Sequence, residues 1–139
     1  MKNKELPKDF PIAVLRWGLA LVFFYFGFSQ IVDPQAWTGF VPEFLTNIFL
    51  SANNIVMINA ITEIVLGIFL AAGIYTRFSS LILSLHLFCI SASIGFNPVG
   101  VRDFGLAVAT LVIFLNGADK YTIDWNIKNK TNGFMRILK

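Results

Sequence analysis

The chain contains one cysteine, Cys89, and one histidine, His86. A single thiol excludes an internal disulfide and any Cys-x-x-Cys redox pair. A single imidazole excludes a bis-histidine haem site within one chain. No zinc-ligand spacing occurs, so neither metal nor haem is expected. Charge is scarce as well: 14% of residues are charged, against roughly 25% in ordinary soluble domains. The formal net charge of +3 comes from lysines near the ends, with no folded domain to present them as a nucleic-acid surface.

Apolar residues fill the space that charge leaves. Of 139 residues 56% are hydrophobic, 15 being phenylalanine, and the mean hydropathy is +0.70. A soluble domain of this size could not bury so much apolar surface, and lipid is the expected solvent. The reading is all-α: a single polytopic membrane domain, with a four-transmembrane-helix bundle spanning about residues 12–31, 55–74, 78–96 and 101–118. The first run, Ile12 to Ile31, is twenty residues long, or about 30 Å as a helix, which matches the hydrocarbon core. It has neither the short apolar core nor the small-residue cleavage site of a signal peptide, and reads as a retained span. The last run is the shortest in purely apolar residues, Phe104 to Leu115, and is completed by Asn116-Gly117-Ala118 or by an earlier start near Val99.

The connection between the first two spans opens with Asp33-Pro34, which stops a helix, and carries Trp37 and Phe40 of interface-belt type. From Pro42, the residues Val41, Phe44, Leu45, Ile48 and Phe49 repeat with helical period and predict a short interfacial helix, acting either as a cap over the bundle or as a gate. After the last span, residues 119–139 read as a basic cytoplasmic tail held near anionic lipid by its lysines. With four spans, ten of the eleven basic residues fall on one side and only Arg102 on the other. The positive-inside rule then places both termini in the cytoplasm, with the chain in the plasma (inner) membrane.

Within this apolar chain the polar residues carry the information. Glu63 lies near the middle of the second span, where a charge costs roughly 2.5–3.5 kcal/mol, a penalty that eleven Leu, Ile, Val and Phe residues between Ile55 and Arg77 offset. It shares a stripe with Ala60, Gly67 and Ala71, small residues that let another helix approach and turn the carboxylate into protein. Similar stripes run through Arg16, Ala20, Phe23, Gly27 and Gln30 on the first span and Arg102, Gly105, Ala109, Val112 and Asn116 on the fourth. On the third, Ser79, His86, Cys89 and Ser93 share one face and Ser80, Ser84, Ser91 and Gly95 a neighbouring one. Counting rise per residue puts Glu63 and His86 within about 5 Å in depth and Glu63 and Arg16 about 10 Å apart. A polar column Arg102, Gln30, Asn59, Glu63, His86, with Arg16 beneath, follows as the expectation, and Glu63 and His86 are its candidates for proton chemistry. Arg16 reads equally as a snorkelling anchor. Glu63 opposite an arginine would be a structural ion pair; alone among apolar residues it would be a site.

The pattern Leu15-Arg16-x-Gly18 with Gly27, Glu63-x-x-x-Gly67 through Gly73-x-x-Thr76-Arg77, Arg102-Asp103, and Tyr121-Thr122-Ile123-Asp124 together resembles the DoxX family. The resemblance implies a four-helix membrane bundle and marks Arg16, Glu63, Arg77, Arg102, Asp103 and Asp124 as the family's polar positions. Many members look to carry a lysine where this chain has Gln30, which can only hydrogen-bond. The family is named from its likeness to the membrane subunit of thiosulfate:quinone oxidoreductase, which implies an accessory subunit of a quinone- or sulfur-linked redox system. A quinone is then the cofactor to consider, and another membrane protein or a second copy the partner. The alternative is a non-enzymatic bundle for partner assembly or for lipid or small-molecule binding and transport, since fold alone does not fix function.

Overall fold

The computed structural model describes residues 6–48 and 50–137, with the side chains of 48 and 132–137 outside that description. Six α-helices follow one another in these residues: α1 Phe10–Val32, α2 Glu43–Ile48, α3 Ala52–Ala72, α4 Thr76–Ile94, α5 Pro98–Asn116 and α6 Ile123–Ile137. α1, α3, α4 and α5 are long and apolar enough to cross a membrane. Large apolar side chains such as Leu21, Tyr25, Ile58, Leu85 and Phe104 stand more than half exposed on their outer faces, a coat that suits lipid.

Local chemistry sets the helix ends. α1 stops at Asp33, whose carboxylate accepts from the Ala36 amide at 3.3 Å and starts a 3-10 segment, Pro34–Phe40. Ser51 opens α3 by accepting from the Asn54 amide. α3 closes on Gly73 at φ 68°, with Ile74 N–H donating to the Phe69 carbonyl and Gly73 N–H to that of Leu70, the Schellman arrangement that a left-handed glycine permits. Asn97 caps α5 through the amides of Val99 and Gly100, with Pro98 in the first turn. That cap starts α5 three residues earlier than the span placed at 101–118, so the short apolar run is a full helix after all.

α1 packs along α3 and α4 along α5, while contact between the two pairs is sparser. A side-chain carbon on Gly27 would meet Ile64 and, at 3.1 Å, the Ala60 carbonyl; one on Gly67 would meet Phe24. The stripes expected on α1 and α3 therefore form the seam between them. In the other pair the Ser84 hydroxyl donates to the Ala107 carbonyl at 2.9 Å and Ser91 to Gly100 at 2.8 Å. Leu19, Phe23, Leu66, Leu70, Leu83, Leu87, Ala107 and Ile113 fill the centre.

One expectation is corrected and two are sharpened. The stripe assigned to the fourth span faces outward: Gly105 has open space beside it and Val112 is 43% exposed. The buried face of α5 is Gly100, Asp103, Ala107, Thr110 and Ile113, because α4 offers serines whose bonds select carbonyls on that side. The short helix expected from Val41 begins at Glu43, with the 3-10 segment before it; Phe49 lies outside the described residues. The stretch after the last span begins packed on the bundle, with Asp119 and Thr122 3% and 0% exposed, and α6 follows. Lys2, Lys4 and Lys139 lie outside the described residues, as does the side chain of Arg136.

Close packing on one glycine but not another gives a test. Gly27→Leu should lower the unfolding free energy in micelles by about 1–3 kcal/mol through overpacking. Gly18→Leu, at a position with nothing within 4 Å, should stay within about 0.5 kcal/mol of the parent. SDS titration followed by circular dichroism distinguishes the two.

Candidate functional site

Arg102, Gln30, Asn59, Glu63 and His86, expected as a column, line one cavity, and Arg16 lies apart from them at the other end of the bundle.

At the end where α3 turns into α4, Arg16 is fully buried and does not snorkel. Its Nε donates to the Asp119 carboxylate at 3.0 Å. Its terminal nitrogens donate to the carbonyls of Leu70 at 2.7 Å, Ala71 at 2.6 Å and Tyr121 at 3.4 Å. A guanidinium has donors for such a fan, and the carbonyls at a helix C-terminus favour a cation. Arg16 thus joins α1, the end of α3 and the segment after α5. Its partner is Asp119, and it does not pair with Glu63. The sequence reading missed Asp119 because it sits in a polar stretch past the last span. The available signal was its level: Asp119 ends the fourth span on the same side as Arg16.

Five residues after Asp119, Asp124 accepts from the amides of Tyr75 and Thr76 and from the Thr76 hydroxyl, at 2.9, 2.7 and 2.8 Å. It caps α4 from a distant part of the chain, in a place where Tyr75 supplies no local cap. Tyr75 holds φ 47°, a left-handed conformation that costs a non-glycine residue about 1–3 kcal/mol. Asp124 N–H also donates to the Gly73 carbonyl at 3.0 Å. Arg77 lies over Gly117, where a side-chain carbon would sit 2.7 Å from its Nε.

At the other end, Gln30, Asn59, Glu63, His86, Arg102 and Asp103 line one cavity of about 370 Å³, a size that suits a small-molecule ring with substituents. It lies between the α1/α3 and α4/α5 pairs, and Trp37, Phe40, Val41, Pro42 and Leu45 of the connection form part of its wall. Phe26, Trp37 and Phe40 make a run of aromatic contacts with centroids 5.7 and 5.9 Å apart. The short connection is therefore a wall of this space.

Glu63 is 4% exposed, and the amides of α1 and α3 satisfy it. Gln30 Nε2 donates to one carboxylate oxygen at 3.1 Å and Asn59 Nδ2 to the other at 3.2 Å. Asn59 Nδ2 also donates to Gln30 Oε1 at 2.8 Å, which closes a ring of three side chains. An amide at position 30 can both give to Glu63 and take from Asn59; a lysine there could only give. His86 Nε2 lies 3.8 Å from Glu63 Oε1, beyond hydrogen-bond reach, and has no partner. Arg102 turns to its own neighbour: its Nε and a terminal nitrogen each lie 2.8 Å from Asp103 Oδ1, and its guanidinium stacks over the Phe26 ring at 4.5 Å. Its charge is thus balanced locally. Cys89 is exposed, and the cavity touches it one turn from His86. Among the described residues, no three of His, Cys, Asp and Glu cluster as a metal site would need.

Removing Arg16 should be costly and specific. Arg16→Met strands the Asp119 carboxylate and should lower the unfolding free energy by about 3–5 kcal/mol. The double variant with Asp119→Asn should recover part of that loss, because no unpaired charge then remains. Additive losses in an SDS-unfolding double-mutant cycle would contradict the pairing.

The chain matches the family model for DoxX over residues 12–95. No curated protein and no solved structure matches it. The matched stretch holds Arg16, Gln30, Asn59, Glu63, Arg77 and His86, whereas Arg102-Asp103 and Tyr121 to Asp124 lie beyond it. With four apolar helices in one bundle and a family match over more than half its length, the chain belongs to the DoxX family as a multi-pass membrane protein.

Proposed function

We propose that the chain is an accessory subunit of a quinone- or sulfur-linked redox system, sitting in the plasma (inner) membrane with both termini cytoplasmic, and that its cavity holds a quinone. The observation that carries this reading is the unpartnered His86 Nε2, set in the cavity wall beside the amide-held Glu63. A quinone carbonyl is an acceptor that Nε2–H could serve, and the aromatic wall suits its ring. Bound there, a quinone would supply two-electron, two-proton redox chemistry. His86 would hold a carbonyl oxygen and exchange a proton at Nε2. Glu63, anchored by Gln30 and Asn59, would lie beside that imidazole. Trp37 and Phe40 would shield the ring from water. The single thiol leaves no dithiol to pass electrons, so the electron donor belongs to another protein of the membrane.

The competing reading is a non-enzymatic bundle for assembly, lipid binding or transport. Its support is that the Glu63 hydrogen bonds close within one helix pair, as a purely structural cluster would.

Trp37 supplies the readout. In nanodiscs, decylubiquinone should quench tryptophan emission saturably, and Trp37→Phe should remove most of that component. His86→Leu should weaken the apparent affinity about tenfold, the value of one hydrogen bond of roughly 1.4 kcal/mol. Linear quenching unaffected by either substitution would favour the structural reading.

A further inference from the structure

The end of the bundle that carries Arg16 also has an outward surface that neither the clamp nor the cavity uses. Here the α3–α4 turn and the first two turns of α6 border a groove of about 460 Å³, lined by Ile74, Tyr75, Ile123, Asp124, Ile127 and Lys128. Its apolar members face outward: Tyr75 is 70% exposed, Ile123 42% and Ile127 60%.

The freely exposed charge at this surface is positive. Both carboxylates of the segment are turned toward the bundle, although Asp124 also lines the groove. Asp119 binds Arg16, and Asp124 binds the start of α4. Lys128 and Lys130 are exposed, and neither has an ion-pair partner among the described residues. Lys130 follows Ile123 by seven residues and shares its side of the helix with Ile127. An apolar groove with ammonium groups at its lip, at the end of a membrane bundle, is complementary to an anionic amphiphile.

We infer that this groove is a binding site for one anionic phospholipid, with an acyl chain over Tyr75, Ile123 and Ile127 and the phosphate on Lys128 and Lys130. The site shares no residue with the cavity and stands apart from the redox reading. Because Asp124 both lines the groove and caps α4, an occupied site also buttresses the strained turn at Tyr75.

The full chain, reconstituted in nanodiscs of equal phosphatidylglycerol and phosphatidylcholine and released for native mass spectrometry, tests this. The wild type should retain one phosphatidylglycerol per chain in preference to phosphatidylcholine. Lys128→Gln with Lys130→Gln should cut that retention by about 25-fold, near fivefold for each lysine. Ile127→Gln should reduce it without touching the lysines, while Lys120→Gln, outside the groove, should leave it unchanged. All are surface substitutions, and unaltered melting in phosphatidylcholine confirms that each variant is folded. Equal retention of both lipids, indifference to the lysine pair, or displacement by inorganic phosphate alone would each overturn the site.

Discussion

A guanidinium with no access to solvent dictates how this bundle is assembled. Arg16 is fully buried, and an uncompensated charge at such a place costs several kcal/mol. The chain meets the demand with one carboxylate and three carbonyls drawn from the end of α3 and the stretch after α5. Satisfying that fan fixes where α3 stops and where the chain must return after α5. The tight contact of Gly73 with Thr122 and the capping of α4 by Asp124 follow from that return.

The far end is built on the opposite logic. There the polar groups bond within a helix pair: Gln30 and Asn59 to Glu63, and Arg102 to Asp103. Across the pairs only the 3.8 Å approach of His86 to Glu63 and the stacking of Arg102 on Phe26 remain. Nothing there draws the pairs together as Arg16 does, and the space between them is the cavity. One bundle thus has an end tied together by Arg16, Asp119 and Asp124, and a hollow end where one imidazole nitrogen has no hydrogen-bond partner.

Much of this was legible in the chain. Four spans follow from apolar run length, and the α1 and α3 stripes follow from small and polar residues that lipid would not tolerate. The α5 stripe failed for a physical reason: Gly105 and Ala109 are compatible with lipid as well as with a neighbour, so small size alone does not choose a face. The depth count placed His86 beside Glu63 and Arg16 well away, and the structure places them so. The same count sets Asp119 at the level of Arg16, but a carboxylate past the end of a span looks solvated until the chain is known to fold back over the bundle. Asp124 stood out by its family pattern, yet its partners, two amides and a hydroxyl 48 and 49 residues earlier, cannot be read from spacing.

The reach of the Arg16 clamp along the chain has a consequence for biosynthesis. Arg16 and Asp119 are 103 residues apart, and translation at about 5–20 residues per second separates them by roughly 5–20 s. Through that interval α1 is in or near the bilayer with its arginine uncompensated, and the Leu70 and Ala71 carbonyls emerge about halfway through it. The clamp on the first helix is therefore complete only once the segment after α5 has been made. Until then, the insertion machinery or the lipid headgroups must shelter its charge.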